Sequence, residues 1–371
     1  MGILGLKHRT YLESAEIILR QRMSAYVAGN RSPSNYIRGQ EVGNALWGFA
    51  TLDYKPTGLL SLVGEYWTEM LDGDLMVSKL CQYISRQEMA MICWSAAVFG
   101  EYPEKLIKIL YNGILGVYEE LDPDYMQKEL YKDNGISPSH FNSLLYLQMM
   151  MDLELGADKN PFSLPENFPS AWTSNQAFNG QSEDSKTSIS PSWDNRDGNS
   201  TMTLSTSATQ NRISDAFDRI DFGHVDEHTL TMKDMVKQFD IQMSPLSIDI
   251  LSLDMANVDA KIGVEVDGPG HWISNIDPSE NQNIFSSAGT YKESKSKNGD
   301  STFEYTFKWN SEDQVINGST RLKLRLFDKL GWTIINIPFW EWLPVESPSL
   351  TKEEQIEAQN NYCRALLQSK N

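Results

Sequence analysis

The sequence predicts an α-helical repeat region followed by a C-terminal α/β domain, and three observations carry that reading. The first 157 residues match themselves at an offset of 47. Residues 158 to 210 are dominated by Ser, Asn, Thr, Asp and Gly. From Ser247 to Trp342 two β-rich runs, an amphipathic helix and a strand bracketed by tryptophans follow one another.

Residues 1 to 40 carry many Lys and Arg but only Glu13 and Glu16 as acids, which reads either as an organelle address or as a first helix. The repeat then aligns Tyr36-Ile37 with Tyr83-Ile84, Gln40-Glu41 with Gln87-Glu88, Trp47 with Trp94, Ala50 with Ala97, Pro56 with Pro103, and Leu59-Leu60 with Leu106-Ile107. So many coincidences at one offset mark a structural repeat. In each copy an apolar helix is followed by a proline and a second helix, which makes the unit a helical hairpin and the region, 1–157, an α-solenoid. Phe141 to Leu147 falls at the next offset as a decayed third copy. Trp47 and Trp94 suit a hairpin core or a base-stacking platform.

Segment 158–210 has too little apolar area to offset its ordering entropy and is expected to be a disordered linker. Helical periodicity returns at Arg212–Ile220, opening a domain that spans 211–371. Ser247 to Leu253 and Lys261 to Asp267 read as strands, the second ending at Gly268-Pro269. Glu265 and Asp267 are two apart, so on a strand they share a face; Asp249 is expected to join them from the neighbouring strand. Acids brought together this way repel, and call for a metal, a base or a donor network between them. Residues 281–300 form a polar insertion, and Thr302–Trp309 alternates as an extra strand. Leu322, Leu326, Phe327 and Leu330 make an apolar stripe flanked by Arg321, Lys323 and Arg325, with Gly331 at the helix C-terminus. Trp332 to Pro338 is a strand, and Trp340 and Trp342 follow it.

These residues resemble the RAP domain, an RNA-associated module of organellar proteins found also in FAST-kinase-like proteins. The resemblance rests on Asp249, the run Glu265-Val-Asp-Gly-Pro269 with His271, Thr320-Arg-Leu-Lys-Leu-Arg325, Gly331-Trp332, and Pro338 with Trp340-Glu-Trp342. The Asn44-Ala-Leu-Trp-Gly-Phe-Ala50 type of helix resembles the repeats that precede RAP domains in algal and plant organelle proteins. The resemblance implies a restriction-endonuclease-like core, in which an Asp and a Glu-x-Lys pair hold a divalent ion. Here Asp267 stands in the lysine position.

A net charge of −18 is unusual for a nucleic-acid binder, so any RNA contact needs a local basic patch. Arg321, Lys323, Arg325 and Lys329 offer one, and Lys292, Lys295 and Lys297 another. Cys81, Cys93 and Cys363 lack metal-ligand spacing and are expected as reduced, buried thiols. His224 and His228 have helix-like metal spacing without a third ligand. No run is long enough to span a membrane.

The resemblance implies an RNA-binding protein of a mitochondrion or chloroplast acting in RNA processing, stability or translation. Its partners are single-stranded RNA and other organellar RNA-processing proteins. RNA contacts are assigned to His271, Arg321, Lys323, Arg325, Trp340 and Trp342. The competing reading is a ribonuclease using Mg2+ or Mn2+ on Asp249, Glu265 and Asp267, with Lys323 or His271 as base. A third is an acidic helical scaffold for other proteins.

Overall fold

The computed structural model describes residues 6–72, 77–120, 138–164, 208–231, 249–275, 290–295, 301–306, 314–347 and 349–369. Among the described residues, seven α-helices form the N-terminal region: α1 (Arg9–Val27), α2 (Gly39–Thr51), α3 (Leu59–Met70), α4 (Val77–Tyr83), α5 (Arg86–Phe99), α6 (Glu104–Glu120) and α7 (Pro138–Leu155). The offset of 47 separates two helix starts, since α2 and α5 begin at Gly39 and Arg86. Each is capped alike: Glu41 Oε2 accepts from Arg38 N at 2.8 Å, and Glu88 Oε2 from Ser85 N at 2.5 Å. Equivalent positions are buried alike, with Ile37, Ile84, Leu59, Leu60, Leu106 and Ile107 all at 0% exposure. Removing each such side chain from water stabilises the region by about 1.5–3 kcal/mol.

Helices related by the offset pack on one another, α2 on α5 and α3 on α6, while α7 packs on α5 and α1 on α3. At Gly39 a Cβ would lie 2.8 Å from the Tyr83 carbonyl oxygen, so the close approach of α2 requires glycine there. Trp94 is buried and Trp47 partly so, both within this core. Within the segment expected as a linker, Phe162 packs on Tyr111 with ring centroids 5.3 Å apart and Leu164 is buried. Residues 165–207, the bulk of that segment, lie outside the described residues.

The C-terminal region opens with α8 (Ala208–Arg219) and builds a four-stranded mixed sheet from β2 (Val225–Thr231), β3 (Asp249–Asn257), β4 (Ile262–Asp267) and β9 (Thr333–Pro338). Its order is β2-β3-β4-β9, antiparallel except for the parallel β4–β9 pair. The parallel pair is bridged by α9 (Gly318–Lys329), which Asn317 caps by accepting from Thr320 N and after which Gly331 takes φ +76°. The strand, strand, helix, strand order read from the sequence is therefore present. One sheet face, with Met255, Val264, Ile335 and Ile337, packs with α8 and α11 (Lys352–Gln368). Across the sheet, Leu322, Leu326 and Phe327 of α9 merge into the core of the helical region.

One strand pairing ties the two regions. β1 (Leu6–Lys7) pairs in parallel with β5 (Trp272–Asn275), which pairs with β8 (Gln314–Ile316), so the chain's first described residues complete a sheet of the C-terminal region. Within the expected polar insertion, β6 (Thr290–Lys295) pairs with β7 (Ser301–Thr306), the latter being the anticipated extra strand. Lys292 and Lys295 lie on β6, while Lys297 is outside the described residues. Phe339–Trp342 forms a short helix, α10.

Two expectations are corrected. His224 and His228 share no helix: His224 precedes β2 with Nε2 2.9 Å from Ser214 Oγ, and His228 packs on Trp332 at 5.6 Å. Cys93 and Cys363 are buried free thiols, but Cys81 is exposed. Among the described residues no helix is long and apolar enough to cross a membrane.

Candidate functional site

Alternation along β4 sends Val264 into the α8–α11 core and leaves Glu265 and Asp267 to the opposite face, under α9. Both acids are buried, at 5% and 1% exposure. The tight β3–β4 turn, with Lys261 at φ +52°, pairs Asn257 with Ile262 and Met255 with Val264. That register brings Asp254 to β4, where its Oδ2 accepts from Val266 N at 2.7 Å. The acid from the neighbouring strand is thus Asp254, which sequence reasoning missed. Asp249 pairs with Thr231 at the other end of β3, five residues or about 16 Å along the strand.

Lys323, from α9, reaches Glu265 Oε2 at 2.6 Å. Asn336 of β9, opposite Glu265 in the ladder, donates to Asp267 Oδ2 at 2.8 Å. His271 Nδ1 stands 3.1 Å from Asp267 Oδ1 and 3.1 Å from Thr320 Oγ1. The turn bearing His271 is held to α9 by Asn317, whose N–H donates to the His271 carbonyl at 2.9 Å and whose amide donates to Gly270 O at 2.9 Å. Glu265 Oε1 and Asn336 Oδ1 are buried with no hydrogen-bond partner among the described residues.

Three acids therefore face one lysine. Burial pushes both Glu265 and Asp267 up to about 7, Lys323 pulling them down and Asp254 adding to the rise. Asp254 is raised by burial against the Val266 hydrogen bond and Lys323. Burial, then Lys323, lowers His271, an effect softened by a side chain that is 48% exposed. With His271 neutral, its contact with Asp267 is a hydrogen bond rather than an ion pair. The cluster holds protons near neutral pH instead of a full set of negative charges.

A divalent ion would need converging carboxylates. Among the described residues no group of three or more His, Cys, Asp or Glu side chains is arranged to hold one. Lys323 supplies the counter-charge on Glu265 instead. The described residues do not fit the three-carboxylate metal site expected from the sequence.

The two arginines of α9 sit elsewhere. Spaced four apart, Arg321 and Arg325 share a face, while Lys323 lies between them on the opposite one. Arg321 pairs with Asp53 at 2.6 Å, just after α2. Arg325 donates to the carbonyls of Ala97 and Val98 at the end of α5, the Val98 bond being 2.7 Å, and pairs with Glu154 of α7 at 2.9 Å. Gly318 lies on the carbonyl of Ala50, which a Cβ would overlap. Ala50 and Ala97 are equivalent repeat positions, so α9 crosses the C-terminal ends of α2 and α5 at matching points. Arg325 is thus engaged in packing, Arg321 keeps 46% exposure, and the arginines do not face the acids.

The tryptophans divide as well. Trp342 is fully buried against Tyr362 of α11, which removes it as a base-stacking surface. Trp340 is half-buried, edge-on to Trp272 at 4.4 Å.

The helix carrying Thr320-Arg-Leu-Lys-Leu-Arg325 and the strand pair ending at Asp267 and Pro338 fall within a stretch that matches a known family. Residues 264–358 match the RAP domain family, from within β4 into α11. Among curated proteins, FAST kinase domain-containing protein 5, mitochondrial, of Mus musculus is 28% identical over 138 residues. That alignment covers 36% of this chain and 17% of the mouse protein, so the chain spans under a fifth of this relative.

Proposed function

We propose that this chain binds single-stranded RNA in an organelle and acts in the processing, stability or translation of transcripts. The match of residues 264–358 to the RAP domain carries the reading, and the mitochondrial designation of the mouse relative supports the compartment. The stacking of helices one repeat apart supports an α-solenoid that supplies a surface for the strand. The α9-covered sheet supports an endonuclease-like core whose lysine arrives from the helix, as Lys323. Of the assigned contact residues His271 and Arg321 are exposed, at 48% and 46%, and Trp340, Lys323 and Arg325 keep part of their surface. Other organellar RNA-processing proteins are the natural partners of such a chain.

Titration of labelled single-stranded RNA at several salt concentrations tests this. Affinity that falls steeply with salt supports phosphate contacts. Absence of binding at low salt refutes RNA recognition and leaves the acidic-scaffold reading. The competing ribonuclease reading has Lys323 beside Glu265 in its favour and, against it, the lack of a three-ligand metal set among the described residues. Cleavage of RNA in Mg2+ or Mn2+ that is lost in Asp267→Ala would establish it over plain binding.

A further inference from the structure

Helix α1 presents an uncharged face to solvent as well as one to the core. At about 100° per residue, Leu12, Leu19 and Met23 fall on one line, and these are the residues it buries in the helical core, with α3 as the neighbour it packs on. On the opposite side an arc of about 140° carries Tyr11, Ser14, Ile17, Ile18, Gln21 and Ser24, all exposed and none charged. Tyr11 is 59%, Ile17 53% and Ile18 54% exposed. Among the described residues eight large apolar side chains are exposed, and the other five are spread one to an element. Apolar side chains exposed singly are ordinary, whereas three on one helix face mark a surface that something covers. The charges of α1 keep to its flanks: Arg9 pairs with Glu13 at 2.8 Å, Arg20 with Glu16 at 2.7 Å, and Arg22 donates to Ser34 O at 2.7 Å. Two chains of net charge −18 repel over much of their surface, and this arc is a place where they can meet without bringing acids together.

We propose that the outer face of α1 binds the same face of a second copy of this chain, the two helices running antiparallel about a two-fold axis between Ile17 and Ile18. Such an interface is isologous, so one patch must complement itself, and this one does. The six residues form three reciprocal levels: Ile17 and Ile18 of both copies meet at the centre, Ser14 lies level with the partner's Gln21, and Tyr11 level with the partner's Ser24. Apolar side chains thus bury one another at the middle, and a hydroxyl and an amide lie level a turn away on either side. Glu13 and Arg20 share a flank at a spacing of seven, so antiparallel pairing sets each within a turn of the opposite charge on the partner. Opposed helix dipoles favour the same orientation. One helix pair buries less than the about 800 Å² per partner of a standard interface, which makes the dimer weak and concentration-dependent. The interface uses none of the residues assigned to RNA and stands apart from that reading.

Sedimentation velocity of the full chain through the micromolar range tests this. Wild type is expected to move toward dimer as concentration rises. Ile18→Glu and Ile18→Lys each set like charges against one another at the centre and are expected to weaken the dimer about tenfold or more, while an equal mixture of the two variants restores it. Ile18 is exposed, so neither change disturbs the fold, which circular dichroism checks. In a Cys81→Ser background, which removes the exposed thiol, Ser14→Cys mixed with Gln21→Cys is expected to form an intermolecular disulfide that neither forms alone. Should an Ile18 variant fail to fold, this cross-link decides. A wild type that stays monomeric, a dimer indifferent to both Ile18 variants, or a charge-opposed mixture that stays monomeric overturns the proposal. A disulfide formed by Ser14→Cys alone overturns the antiparallel register.

Discussion

Replacing Glu265 with Gln should stabilise the protein at pH 8 and do little at pH 4.5. In the folded chain this carboxyl sits near 7 rather than its ordinary 4.5, chiefly because burial outweighs the attraction of Lys323. A group raised on folding contributes its full stability below the unfolded value and loses it as pH climbs through the folded one. At 1.36 kcal/mol per pKa unit, forcing ionisation between 4.5 and about 7 costs the folded state about 3 kcal/mol. Gln imitates the protonated form and escapes that cost, so the variant's advantage should grow from near zero at pH 4.5 to about 2–3 kcal/mol at pH 8. Urea midpoints at pH 4.5, 6, 7 and 8, with the denaturant slope unchanged, measure it. A variant less stable than wild type at pH 8, or equally advantaged at every pH, would refute the reasoning: the acid would then be a favourable partner of Lys323 rather than a strained one.

Arg325→Ala should cost about 2–3 kcal/mol, because a charge-assisted set on Ala97, Val98 and Glu154 is lost from a site only 24% exposed; equilibrium denaturation reads it. Arg321→Ala, at a 46% exposed pair, should cost at most about 1 kcal/mol in the same experiment. Gly318→Ala should destabilise by about 1–3 kcal/mol, since its Cβ meets backbone rather than a side chain that can turn away, and thermal unfolding should show the loss. Trp342→Ala should cost about 3–5 kcal/mol as a core truncation. Trp340→Ala should instead weaken RNA binding by about 1–3 kcal/mol if a base stacks there, with little change in folding.

The correspondence of α2 with α5 was legible because both reuse the same buried positions and the same Glu at the third helical residue, as at Glu41 and Glu88. The order of strands and α9 was legible from period and from Gly331. Asp254 was within reach of the sequence too, by counting back from the turn at Val258–Lys261, but that turn has no glycine to announce it: Lys261 itself takes the left-handed conformation. The face of α9 was not readable. Arg, Lys and Arg alternating with leucines look equivalent along the chain, and only partners more than two hundred residues away separate Arg321 and Arg325 from Lys323. Trp342 differs from Trp340 for a similar reason, since α11 folds back over one and not the other.

The length of α9 sets a limit on what it can fasten. Twelve residues extend about 18 Å, and neighbouring helices stand about 8–10 Å apart, so the rod bridges two gaps and touches three helix ends: α2, α5 and α7. It works as a ruler laid across those three ends. A helix packed outside these three would fall beyond its tips and would have to hold without this brace.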